Sequence, residues 1–201
     1  MESYIYTINH ENVITSVNEA WLNFASKNAS AHLNEPNVLG RSLWSFISNR
    51  DTQAIYQIIV QKIRKLNVHI RVPFRCDSAD QRRFMELEIS GLPEGGVKFN
   101  SKCLRQEPRE HLDLLDPRVE RSSSFIIMCS WCKQVQVGEN QWWEVEELVR
   151  LKSLFYTPLP PKISHGVCPQ CLSQIKADLA HFYPTTALAA QSISPIAFGF
   201  N

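Results

Sequence analysis

The chain has 201 residues, 21 lysines and arginines against 20 aspartates and glutamates, and 44% hydrophobic residues. This composition is typical of a globular protein of one or two domains, and the near-neutral charge provides no overall field for nucleic acid. Apolar runs are far shorter than the ~20 residues that span a bilayer, and the amino terminus has no basic-then-apolar signal pattern. We therefore expect a cytoplasmic protein with no membrane span and with reduced cysteines.

The first half of the chain predicts the element order β-β-α-α-α-β-β-β. Asn18 is placed to cap a short helix, and a long helix carries its apolar residues on one stripe, with Lys62 at the edge. The stripe consists of Ile55, Ile58, Ile59, Ile63 and Leu66. Apolar runs bounded by turn residues predict the strands. The predicted elements are Tyr4–Ile8, Val13–Val17, the helix Glu19–Ser26, a short helix within 38–47, the helix Thr52–Leu66, Val68–Arg75, Arg82–Ser90 and Val97–Leu104.

Residues 106–124 contain two prolines, many charges and three serines, a composition typical of a connector. This stretch divides the chain into an N-terminal domain (residues 1–105) and a C-terminal module (residues 125–183). A tail of residues 184–201 follows, and it is too short for an output domain.

Two motifs of the N-terminal domain point to a family. They are Val17-Asn18-Glu19-Ala20-Trp21 after the second strand and Leu39-Gly40-Arg41-Ser42-Leu43-Trp44 near the middle. With the long helix and three closing strands, residues 1–105 resemble a PAS domain. The resemblance implies an α+β fold with a five-stranded antiparallel sheet, helices on one face and often a small-molecule pocket. PAS domains sense a ligand, redox state or light, or form dimers.

The residues leave the ligand of such a pocket unknown. The Asn-Cys-Arg-Phe motif of photochemical flavin-binding PAS domains is absent, and the long helix has no histidine for haem, although His69 follows it. Several aromatic residues either line a pocket or fill the core. These are Trp21, Phe24, Trp44, Phe46 and Phe84. A basic cluster of Arg71, Arg75, Arg82 and Arg83 has acidic neighbours, so we expect it to be a solvated surface of mixed charge.

Four of the six cysteines form two C-x-x-C pairs, Cys129/Cys132 and Cys168/Cys171. Four thiolates in this pattern can surround Zn²⁺ tetrahedrally at ~2.3 Å, which predicts a structural zinc site. Residues 133–167 separate the pairs, an interval longer than the ~15–20 residues of common zinc motifs. We expect a helix over 142–151 to fill it and to pack Val145, Leu148, Val149 and Leu151 beside the metal.

Two alternatives remain for the cysteine pairs. They form a thiol–disulfide redox switch, or they are inert buried thiols. Zinc is favoured because a redox site needs one such pair, and because metal binding stabilises a unit too small for a large core. His165 either replaces a cysteine ligand or supports the site by a hydrogen bond, while Cys76 and Cys103 are expected to be packing residues.

The C-terminal module resembles a segment that follows bacterial sensor domains, through Cys129–Lys133, the helix motif Trp143–Glu147 and Ser164–Cys171. This resemblance implies an accessory zinc-type module of signalling proteins. Phosphate-binding Gly-rich loops, GxSxG and H-E-x-x-H are absent, so we expect no enzyme. We expect a non-catalytic sensor or adaptor that binds another protein. PAS-mediated homodimerisation is possible for such a protein. A sensor of haem or of a small ligand is an alternative function.

Overall fold

The structure is a computed structural model that describes residues 2–151 and 159–180. Its strands are β1 (Ser3–Ile8), β2 (Ile14–Val17), β3 (Ile70–Arg75), β4 (Gln81–Gly91), β5 (Val97–Pro108), β6 (Phe125–Cys129), β7 (Val135–Gly138), β8 (Gln141–Trp143) and β9 (Lys162–Gly166). Its α-helices are α1 (Glu19–Lys27), α2 (Glu35–Val38), α3 (Arg50–Leu66), α4 (Val145–Leu151) and α5 (Pro169–Ala180). Short 3₁₀ turns occupy Leu43–Phe46, Pro93–Gly95 and Asp113–Leu115.

The first sheet has five antiparallel strands in the order β2-β1-β5-β4-β3. Every second residue of β4 from Met85 to Ile89 is buried, because successive side chains of a strand point to opposite faces. Ile89 pairs with Phe99 of β5, and both are fully buried. The predicted α+β class, with a five-stranded antiparallel sheet and helices, is confirmed.

Helix α3 packs against β4 and β5 through Ile55, Ile59 and Ile63 of the predicted stripe, which are buried. Ile58 of the same predicted stripe is instead 47% exposed. The Asn49 side chain caps its first turn, and Asn67 ends it in the left-handed conformation at φ 50°. The helix therefore begins and ends at residues suited to those positions.

The second sheet has the order β8-β7-β6-β9, and β6 and β9 run parallel. The expected helix over 142–151 is wrong in its first part, because Trp142 and Trp143 pair with Gln136 and Val135 as strand β8. The helix begins only at Val145. Strand pairing with β7 outweighs the helical periodicity, and that pairing is invisible to a local pattern.

Residues 106–124 contribute to a second core. Leu112 and Leu114 are buried there with Met128 and Val135, and α4 adds Val145, Leu148 and Val149. Contrary to expectation, α4 therefore packs in this core and not beside the cysteines, and Leu151 is 55% exposed. Strand β5 also continues to Pro108, beyond its predicted end at Leu104.

Arg64 of α3 joins two turns of the first sheet. Its guanidinium donates to the Asn9 carbonyl at 2.8 Å, the Asn12 side chain at 3.0 Å and the Gly95 carbonyl at 2.8 Å. We expect Arg64→Ala to lower the free energy of unfolding by about 2–3 kcal/mol, because three acceptors lose a charged donor. Urea denaturation checks this, and Lys65→Ala, at an exposed neighbour, should change stability by less than about 0.5 kcal/mol. Equal losses of stability in the two variants would contradict the role of Arg64 in joining the two turns.

His111 lies among carboxylates at the start of the second core. Its Nδ1 is 2.6 Å from Asp80, and its Nε2 is 3.3 Å from Asp113. The hydrogen bond to Asp80 raises the pKa of His111. The stability from protonated His111 is thus complete below the unfolded-state pKa and is lost as pH rises through the folded pKa. NMR titration should give a pKa above about 6.5, and Asp80→Asn should lower it. An unchanged pKa in that variant would contradict this.

No helix within 2–151 and 159–180 is long and apolar enough to cross a bilayer. The predicted tail, 184–201, lies outside the described residues, as do 152–158 and 181–183.

Candidate metal centre and adjoining cavity

The parallel pairing of β6 and β9 brings the two C-x-x-C turns together. Cys129 is the last residue of β6 and pairs with Gly166 at the end of β9, two residues before Cys168. Neighbouring parallel strands end at the same edge of a sheet, so both turns project from one edge. Gly166 allows the close approach, since a Cβ there would lie 3.0 Å from the Ile127 Cγ2 atom.

The four cysteine sulfurs form one cluster, in which all Sγ atoms of Cys129, Cys132, Cys168 and Cys171 lie within 4.8 Å of one another. Cys132 and Cys168, from different pairs, have their Sγ atoms 3.8 Å apart. Tetrahedral ligation at ~2.3 Å places sulfurs about 3.8 Å apart, whereas a disulfide requires ~2.05 Å. The arrangement can therefore hold a metal ion. Cys76 and Cys103 are free thiols outside this group.

Backbone amides point at the sulfurs. The Cys168 amide donates to the Cys129 Sγ at 3.4 Å, and the Cys171 amide donates to the Cys168 Sγ at 3.4 Å. In the first turn, Lys133 adopts φ 66° and its amide donates to the Cys129 carbonyl. Amide donors favour the thiolate form, because they stabilise negative charge on sulfur.

The close approach of the four sulfurs shifts the pKa values of the thiols. Hydrogen bonds from the Cys132 and Cys171 thiols lower the pKa of Cys129, and the Cys168 amide contributes further. The same contacts with Cys129 raise the pKa of Cys132 to about 12 and also raise the pKa of Cys171. Several thiolates this close together repel one another, so a cation is needed to hold them in one cluster.

Trp131, inside the first C-x-x-C turn, anchors the cluster to the N-terminal domain. It is 6% exposed and belongs to the same buried cluster as Cys129, Cys168 and the core of the first sheet. Its carbonyl accepts from the Arg75 amide at 2.7 Å, and its ring centroid is 5.8 Å from that of Tyr56. The two halves therefore share one apolar core at the cysteines.

Polar contacts extend this interface along α3. Asn49, the cap of α3, also donates to the His165 carbonyl at 2.6 Å. The Thr52 and Ser130 hydroxyls lie 3.0 Å apart, and Lys62 donates to the Leu179 carbonyl at 2.6 Å. Both cysteine turns and α5 are thereby tied to one helix of the N-terminal domain.

A network of ion pairs also joins the N-terminal domain to the C-terminal module. Asp77, whose side chain is 1% exposed, accepts from both Arg75 and Arg109. Arg75 also pairs with Glu144 at 2.6 Å, and Arg82 pairs with Glu146 at 2.6 Å. The expected solvated surface is wrong for Arg75, because the C-terminal module covers it.

A cavity of about 400 Å³ lies between the first sheet and the helices and reaches the cysteine turns. Its wall is mainly aliphatic and aromatic, and polar groups gather where Ser130 and His165 of the C-terminal module complete it. The apolar lining is Tyr6, Ile14, Val17, Trp21, Leu33, Val38, Leu43, Phe46, Ile47 and Tyr56. The polar lining is Ser48, Asn49, Thr52, Ser130 and His165.

The aromatic residues that were expected either to line a pocket or to fill the core lie in different places. Trp21 and Phe46 line the cavity, and Trp44 packs on the core. The Phe24 ring contacts the Tyr4 ring in a tilted arrangement, with centroids 4.6 Å apart, while the Arg105 guanidinium lies over the Phe84 ring. These last two aromatics lie outside the cavity lining.

The two histidines considered as ligands lie in different settings. His69 is exposed and does not line the cavity. His165 is an exposed residue at the cavity and lies outside the four-sulfur group. Partial desolvation at the cavity, together with the Lys133 charge, lowers its pKa, although its side chain still reaches solvent. Sequence patterns missed Ser130 and Thr52, since a hydroxyl residue carries no signal until its surroundings are known.

No family model matches the chain, and no curated protein matches it. Solved structures resemble its N-terminal half. The PAS domain of the RpfR quorum-sensing receptor of Cronobacter turicensis, in complex with C12:0, is 11% identical with a TM-score of 0.41, over 52% of this chain and 96% of that one. A domain of an HTR-like protein from Haloarcula marismortui is 11% identical with a TM-score of 0.36, and the match covers 51% of this chain and 98% of that one. A sensory box sensor histidine kinase from Vibrio cholerae is 9% identical with a TM-score of 0.37, and the match covers 52% of this chain and 82% of that one.

Proposed function

We propose that the chain is a non-catalytic signalling or regulatory adaptor. A PAS-like sensor and protein-interaction domain (residues 1–105) is joined through residues 106–124 to a structural zinc module (residues 125–183). The observation that carries this proposal is the four-sulfur cluster built into the core shared by the two halves. A metal site in that position stabilises an interface between the halves.

Zinc suits the donor set. Cys129, Cys132, Cys168 and Cys171 would hold the ion, and a closed set of four thiolates is the usual structural zinc site. When bound, the ion would cross-link the two turns at the ends of β6 and β9. Four thiols remain available as ligands in a reducing compartment, so we propose a cytoplasmic location.

The proposed partner is another protein, and a homodimer is one form of it. Phe125 and Ile127 of β6 are 67% and 41% exposed, and they form an apolar strip on the second sheet. Such a strip favours contact with another protein surface. Light scattering on the purified chain separates a homodimer from a monomer that binds a different protein.

Metal analysis of protein purified without chelator tests the proposal. We expect about one zinc per chain, retained through gel filtration, because four-thiolate sites bind zinc tightly. Metal-free protein with a disulfide that can be titrated would overturn the zinc module and favour the redox switch.

A further inference from the structure

We infer that the C-terminal module forms one wall of a small-molecule site, so that ligand binding and zinc retention are coupled. The inference rests on the proposed zinc module and adds a ligand class and a linkage to it. The cavity between the first sheet and the helices is the site, and its polar end is made by residues of both halves.

One wall residue of the module lies in a cysteine turn, and the other lies in the strand that leads to the second turn. Ser130 lies between Cys129 and Cys132 in the chain, and its amide donates to the Gly166 carbonyl at 2.8 Å. His165 lies just before Gly166 in β9. The positions of both wall residues therefore follow from the strand ends that bring the four sulfurs together.

The lining defines the chemistry of the ligand. Among the described residues that line the cavity there is no aspartate, glutamate, lysine or arginine. Burial raises the pKa of Tyr56 to about 12, so this hydroxyl stays neutral. An uncharged molecule with a flat or aliphatic body suits the apolar wall, and the hydroxyls of Thr52 and Ser130 can bond to one polar end of it.

Ligand binding and zinc retention are coupled because Ser130 belongs both to the cavity wall and to a cysteine turn. A ligand bonded to Ser130 contacts the site only while the cysteine turns hold Ser130 in place. Loss of zinc frees the turns and removes part of the binding surface. By reciprocity, a bound ligand strengthens zinc binding by the same factor.

The test uses the zinc-loaded full chain with 2-naphthol, an aromatic molecule with one hydroxyl. We expect NMR titration to shift the Thr52 and Ser130 amide signals. Zinc transfer to a chromophoric chelator should become about fivefold or more slower when 2-naphthol is saturating, in line with ordinary coupling between sites. Removal of zinc should weaken 2-naphthol binding by a comparable factor.

Ser130→Ala should weaken 2-naphthol binding about three- to tenfold with zinc content unchanged, because one hydrogen bond is lost. Ser173→Ala, an exposed change in the same module, should have no effect. Both variants retain all four cysteines and are expected to keep their zinc, so the result does not depend on folding of the zinc-free chain.

Several outcomes would overturn the inference. They are a zinc-loaded chain that does not bind 2-naphthol, shifts confined to the cleft between Phe74 and Ile175, or an unchanged rate of zinc transfer. Each leaves the zinc module standing, whereas a chain purified without zinc overturns the proposed function itself.

Discussion

Cys168→Ser is expected to abolish zinc binding and to unfold the C-terminal module. Cys168 is 1% exposed, lies in the four-sulfur cluster and shares a core with Trp131 and Ile175. Its loss leaves three thiolates around the ion and removes most of a binding free energy of about 10 kcal/mol. Zinc content per chain and thermal unfolding followed by circular dichroism measure the effect.

Cys103→Ser is the matched control, because Cys103 is a free thiol outside the cluster. It should retain the zinc content and melting temperature of the parent chain. If Cys168→Ser keeps a full complement of zinc, or if both variants behave alike, the four cysteines do not form a metal site.

Asp77→Asn is expected to lower the free energy of unfolding by about 3 kcal/mol, since it removes the buried carboxylate that two buried arginines share. Asp77 accepts from Arg75 and Arg109, whose side chains are 10% and 5% exposed. Both arginines also pair with the C-terminal module, through Glu144 and Glu146 respectively. Urea denaturation of the zinc-loaded chain measures the loss.

Glu88→Gln provides the comparison for a surface ion pair on the same sheet. Glu88 lies 3.5 Å from Arg71, which is 59% exposed, so its loss should cost less than about 1 kcal/mol. A similar effect of the two substitutions would show that Asp77 does not neutralise a buried interface.

Most elements of the N-terminal domain were predictable because each carries a local pattern. Helix α2 was not, since it begins at Glu35, before the short helix predicted within 38–47. The stripe of Ile55, Ile59 and Ile63 has the helical period, and alternate residues of β4 are apolar. The prediction failed at Trp142 and Trp143, which have the spacing of a helix but pair with β7. Pairing energy comes from residues elsewhere in the chain, which a local window does not contain.

The candidate metal centre was visible as two C-x-x-C pairs, because four sulfurs around one ion require this short spacing within each pair. The sequence did not reveal the parallel pairing of β6 and β9, which brings the pairs to one edge. Parallel pairing depends on strands distant in the chain and leaves no local sign. The zinc itself stays a prediction.

The sequence by itself determined the α+β class, the helix α3 and the residue types of the metal centre, since these depend on periods and spacings of a few residues. Only the tertiary structure decided that Arg75 is buried under the C-terminal module and that Ser130 and His165 complete a cavity of the N-terminal domain. Burial of a charge, or the closing of a cavity wall, results from the packing of segments far apart in the chain. Those contacts form only when the whole chain has folded.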